Sequence, residues 1–126
     1  MLAYLIVFFG AGIGGALRHG VNVWSARLVG TNFPYGTITV NVVGSLVMGL
    51  LASYFAFRGS ESQHWRLFLT TGVLGGFTTF SSFSLDVSLL YERGELATTA
   101  FYIVASVTIS VAALFGGLWV MRTLLP

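Results

Sequence analysis

The sequence predicts an all-α integral membrane protein with four transmembrane helices per subunit, the third of them broken, paired as an antiparallel dual-topology homodimer. Three observations predict it: an apolar composition, a division into four uncharged runs, and an even distribution of the few arginines. Hydrophobic residues fill 56% of the 126 positions and charged residues 8%, with a mean hydropathy of +0.87. Soluble domains do not have this composition. At this length residues 1–126 form one membrane domain, so any function has to reside among the helices.

The first uncharged run, Met1 to Leu17, is apolar from Leu2, with no basic leader and no Ala-x-Ala-like site, and reads as a retained span. The second, Leu28 to Phe57, carries Gly30, Asn32 and Pro34, which mark a loop; its helix is expected from near Gly36 to near Phe57. The third runs from Leu67 to Leu85 and the fourth from Leu96 to Met121. Each provides the roughly 17–25 residues of a crossing, alone or with a short flank. Trp24, Trp65 and Trp119, with Tyr4, Tyr35 and Tyr91, fall near span ends, where amphipathic rings favour the headgroup layer.

Small residues four apart let membrane helices approach closely. Gly10 and Gly14, Ser45 and Gly49, Gly72 and Gly76, Ser106 and Ser110, and Ala113 and Gly117 have that spacing and read as packing seams. Arg58, Arg66 and Arg122 fall on one side of a four-span topology and Arg18, Arg27 and Arg93 on the other. That balance gives no positive-inside bias, so the chain is expected to insert in both orientations. The arginines are scattered singly, which argues against a nucleic-acid partner, and the absence of cysteine removes disulfides and thiolate chemistry.

Polar groups inside a bilayer need partners or a purpose. Thr37, Asn41 and Ser45 form one stripe in the second span, and Tyr102, Ser106 and Ser110 another in the fourth. The Asn41 amide is the most demanding of these in hydrocarbon, and its reading is divided between bridging two helices and serving a pathway. In the third span the pair Gly75 and Gly76 precedes Phe77-Thr78-Thr79-Phe80-Ser81-Ser82-Phe83-Ser84. Weak helix formers here predict a break, and freed backbone groups at membrane depth can line a cavity or coordinate an ion. Phe80 and Phe83 share a face, and an aromatic ring edge is electropositive enough to line an anion path. Arg18 and Asp86, close to the ends of their runs, are candidates for a vestibule.

At Gly75 to Ser84 the sequence resembles the Fluc (CrcB) family of fluoride channels, whose third span carries a glycine pair followed by a Thr-Thr-Phe-Ser-Thr-Phe-Ser string. Gly36-Thr37-Ile38-Thr39-Val40-Asn41, Gly14-Gly15-Ala16-Leu17-Arg18 and the serine stripe extend the resemblance along the whole chain. Ser82 stands where the string usually has Thr, and Asp86 where Glu is frequent; both keep the chemistry.

The resemblance implies a passive channel, not an enzyme, that releases cytoplasmic fluoride down its gradient through two pores in an antiparallel homodimer of the inner (plasma) membrane. It makes Phe80 and Phe83 ring-edge fluoride contacts and Asn41 a pore amide donor, with Thr37, Thr79, Tyr102, Ser106 and Ser110 along the pore. Arg18 and Asp86 belong to the vestibule, and the backbone carbonyls of Gly75 and Thr78 hold a structural sodium ion where two broken helices meet. Its partners are fluoride, a second copy and membrane lipid.

Other classes fit less well. A proton-coupled drug exporter needs an intramembrane carboxylate in the first span, and none is present. An assembly subunit would explain the glycine seams but not the aligned polar stripes. An intramembrane enzyme lacks a nucleophile and base pair, since His19, His64 and Asp86 lie near different span ends.

Overall fold

A computed structural model describes residues 1–58 and 63–125. Helix α1 spans Leu2–Val29 and α2 spans Tyr35–Phe57. The third span is composite: α3, Gln63–Leu67, runs into a π-helical stretch, Phe68–Leu74, then α4, Gly75–Phe77, and after a break α5, Phe80–Glu92. Helix α6, Leu96–Leu124, completes four crossings long and apolar enough for a membrane.

Helix α2 begins beside Pro34 and ends at Phe57, as its punctuation predicts. Helix α1 does not stop at Leu17. It continues through Arg18 and Arg27 and ends only at Gly30, whose φ of 82° takes the chain into the left-handed region glycine favours. Arginine is a good helix former, so a charge ends an apolar run without ending the helix. The third span does break within Gly75 to Thr79, but the glycine pair stays helical and the extended residues are Thr78 and Thr79, with ψ values of 160° and 120°. Thr79 then caps α5, its Oγ1 accepting from the Ser82 N–H at 3.1 Å.

The glycines serve close packing. A Cβ on Gly14 would fall on the Val73 carbonyl and 2.8 Å from the Phe77 nitrogen, and one on Gly10 would lie 2.8 Å from the Phe68 carbonyl oxygen. Gly76 returns the contact, backbone to backbone, against Ala11. Gly49 and Gly117 do the same between α2 and α6, against the Leu114 and Leu46 carbonyls. The bundle is therefore two tight pairs, α1 with the first half of the third span and α2 with α6, joined through α1 and α2. By contrast α5 is loosely held: it packs mainly on α6 and leaves Phe80, Leu85, Leu89 and Tyr91 exposed.

Candidate functional site

The break is held by side chains from two other helices. Asn41 pairs twice with Thr79: its Nδ2 donates to the Thr79 carbonyl at 3.0 Å, and its Oδ1 accepts from the Thr79 N–H at 2.8 Å. An amide in this two-point pairing replaces the helical hydrogen bonds Thr79 lacks, and it leaves one N–H over. Arg18 donates from Nε to the Gly76 carbonyl at 3.1 Å. The Thr78 N–H and hydroxyl both donate to the Leu74 carbonyl, each at 3.0 Å. Among the described residues the carbonyls of Gly75, Phe77 and Thr78 accept no hydrogen bond. Gly44 leaves room for the Thr78 methyl group, which a Cβ at that position would displace.

Beside the break lies a cavity of about 290 Å³ between α2, α5 and α6. Asn41, Thr79, Phe80, Phe83, Ser106 and Ser110 all line it, together with Ser45 and Thr78, and no charged side chain does. The Ser106 and Ser110 hydroxyls are buried and have no partner among the described residues. A buried hydroxyl left unpaired costs about 1–3 kcal/mol, so a site that keeps two is built to offer them to something else. Ser106 and Ser110, read as a packing seam from their spacing, thus also line a cavity. Phe83 is buried at 8% exposure while Phe80 is 76% exposed, with ring centroids 5.4 Å apart. One wall of the cavity therefore lies on the surface of the chain.

A second cavity, of about 300 Å³, opens toward the loop ends of α1, α2 and α5 and is lined by Asn22, Asn32, Thr37, Asp86 and Arg93 among others. Arg93 is ion-paired with Glu95 at 2.5 Å and donates to the Asn32 carbonyl at 2.8 Å, tying the two loops of this end together. Tyr102 stands between the cavities. It is fully buried, its ring 5.2 Å from Phe83 and 5.4 Å from Phe33, and its hydroxyl donates to Asp86 at 3.0 Å. The two polar stripes of the second and fourth spans are thus each divided. Thr37 opens on the outer cavity while Asn41 and Ser45 line the inner one, and Tyr102 lines neither although Ser106 and Ser110 line the inner. Arg18 lines neither of these cavities.

Sequence reasoning misses Asn22, whose Oδ1 sits against Gly36 and which lines the outer cavity. Ending the first span at Leu17 hides it; a helix carried on to Gly30 exposes Asn22 as a polar residue inside a span. Sequence reasoning also leaves Asn41 divided between bridging helices and serving a pathway. In the structure it bridges α2 to the break and lines the inner cavity at once.

Any resident cation would have to be held by oxygens other than clustered acids, since no group of three or more His, Cys, Asp or Glu forms among the described residues. The unclaimed Gly75 and Thr78 carbonyls fit a hard monovalent cation, which takes neutral oxygen ligands at a helix break.

Four crossings, a broken third span and a neutral cavity at the break define a small multi-pass membrane protein of the channel class. The chain belongs to the family described as CrcB-like protein, Camphor Resistance (CrcB), whose model matches residues 5–118. It is similar to fluoride-specific ion channel FluC 2 of Nitrobacter hamburgensis, 59% identical over 121 residues that cover 96% of this chain and 98% of that one. The fluoride-specific ion channel FluC of Rhodopseudomonas palustris strain BisB5 is 56% identical, with 98% and 99% covered. That of Granulibacter bethesdensis is 57% identical, with 99% and 98% covered. These relatives are ion channels by name, not enzymes.

Proposed function

We infer that this chain is a passive, fluoride-selective channel that lets cytoplasmic fluoride leave down its gradient and so limits its toxicity. The observation that carries the inference is the inner cavity, which two unpaired buried hydroxyls and two phenylalanine rings line with no charged side chain among them. Fluoride is small and strongly hydrated, and it enters a pore only where donors replace its water. Ser106, Ser110 and the spare Asn41 N–H are such donors, and the ring edges of Phe80 and Phe83 add a positive potential. Because none of them carries a charge, the ion is solvated without being trapped. In this reading the ion exchanges its first waters in the outer cavity, beside Thr37 and Asp86, and passes Tyr102 to reach the inner one. The high identity to channels named for fluoride supports the choice of ion.

The working unit in this reading is an antiparallel homodimer in the inner (plasma) membrane, with two pores and a sodium ion between the breaks. The balanced arginines, the loosely packed α5 and the exposed Phe80 support the pairing. When bound, sodium would neutralise the dipoles of the Gly75 and Thr78 carbonyls, which would hold it. Single cysteines at Thr31 and at Ser60, the latter outside the described residues, test the topology by labelling in intact cells. Each is expected to label from both faces of the membrane; labelling from one face only sinks the antiparallel dimer.

The functional test is ion efflux from liposomes holding the purified protein. Fluoride is expected to leave passively and chloride to be retained, and equal efflux of both ions overturns the assignment. Phe80→Ile and Phe83→Ile keep apolar bulk but lose the polarised ring edge, worth about 0.5–1.5 kcal/mol per contact, so each is expected to slow fluoride efflux by about two- to tenfold. Unchanged rates return both rings to packing.

A further inference from the structure

Arg18 stands one turn beyond Gly14 on a single stripe of α1, Gly10, Gly14 and Arg18, the first two of which bring α1 against the third span. Its reach to Gly76 is consequently short, and the Nε bond at 3.1 Å follows. Gly76 lies in the last turn of the first half of the third span, where the final four carbonyls of a helix have no partner within it. Each carbonyl around the break can be traced. Leu74 is taken by Thr78, Gly76 by Arg18 and, across the break, Thr79 by Asn41. Those of Gly75, Phe77 and Thr78 are left.

The charge of Arg18 is met by a carbonyl at the negative end of a half-helix and not by an acid. Among the described residues Asp86 is bonded by Tyr102 and Glu95 by Arg93, while Glu92 closes α5 at its far end. A guanidinium that stays charged therefore sits one residue from the Gly75 carbonyl, with no counter-charge among the described residues.

We propose that Arg18 is a positioning residue that decides which carbonyls of the broken span receive the cation. It holds the Gly76 carbonyl out of the site and, by its charge, keeps the remaining Gly75 and Thr78 oxygens suited to a weakly held monovalent ion and unsuited to a divalent one. The proposal rests on the cation reading given above. Removing the charge strengthens cation binding, on the order of tenfold for one like charge within several ångströms at intermediate dielectric, whereas a mere loss of structure weakens it.

Gly76 is the only glycine followed directly by phenylalanine, so 13C-carbonyl glycine with 15N-phenylalanine reads its carbonyl alone in the full-length protein in membranes. That resonance is expected to move on Arg18→Gln, and in the wild type to be dephased by 15Nε-arginine, a measurement needing no variant. Melting in detergent with sodium exchanged for N-methylglucamine gives the half-saturating sodium concentration. It is expected to fall about tenfold in Arg18→Gln and to stay near wild type in Arg18→Lys, with calcium stabilising the Gln variant only. A Gly76 carbonyl that neither moves nor is dephased overturns the proposal, as does a weaker sodium response in both variants. A wild type indifferent to sodium overturns the cation reading instead, and a Gly76 resonance that still depends on Arg18 tells the two failures apart.

Discussion

Asn41→Asp is expected to reduce fluoride efflux by at least about a hundredfold while leaving the protein able to fold in the membrane. The substitution is nearly isosteric, but it replaces the Nδ2 donor that meets the Thr79 carbonyl with a second acceptor. The other half of the pair, the Thr79 N–H donating to Oδ1, survives. A carboxylate then lines a cavity to which no basic side chain contributes. A passing anion about 5 Å from that carboxylate meets a repulsion of roughly 3 kcal/mol at intermediate dielectric, a factor of about a hundred in rate. Efflux from liposomes, with gel filtration as the check on folding, decides it. A monodisperse variant at wild-type rate makes Asn41 a brace for the break and nothing more.

Gly14→Ala is expected to yield little or no folded protein, whereas Gly15→Ala, its neighbour in sequence, is expected to be as stable as wild type or slightly more so. At Gly14 the added methyl falls on the Val73 carbonyl and beside the Phe77 nitrogen, both backbone atoms that no rotamer change can move. Gly10 pins the same helix one turn earlier, so α1 cannot back away without losing that contact as well. Overpacking of this kind costs about 1–3 kcal/mol when side chains can adapt and more when backbone has to shift. At Gly15 a Cβ meets nothing within 4 Å, and alanine gains up to about 1 kcal/mol of helix propensity. Yield and melting temperature of the two variants in one detergent separate them. Equal behaviour would mean that the α1 seam is looser than described.

Much of the architecture is legible in the amino-acid sequence. Pro34 and its flanking turn residues set the start of α2, and the four uncharged runs correspond to the four crossings. Asn41, Phe80, Phe83, Ser106 and Ser110 stand out by spacing and chemistry, and they do share one cavity. What escapes has two physical causes. A charge reads as the end of a helix, although Arg18 is carried inside α1 by a carbonyl supplied from another element; that partner is separated by 58 positions and has no signature in local sequence. The glycine pair reads as the site of the break because glycine is a weak helix former, yet close packing on Ala11 keeps Gly76 helical, and the chain opens two residues later. Propensity locates the weak region and tertiary contacts choose the bond.

The helices differ in length: α1 has 28 residues and α6 has 29, while α2 has 23. At about 1.5 Å per residue the long pair measure roughly 42 Å against a hydrocarbon layer of about 30 Å. Such helices lean, and the lean grows as the bilayer thins. Because α1 is locked to the first half of the third span by Gly10, Gly14 and Gly76, and α6 is locked to α2 by Gly49 and Gly117, each pair tilts as one body. The break at Thr78 and Thr79 follows the first body and is held by Asn41 of the second, while Arg18 holds Gly76 within the first. Lipid chain length is thereby expected to act on the ion path: thinning the membrane should tilt one pair against the other near the point where the donors converge.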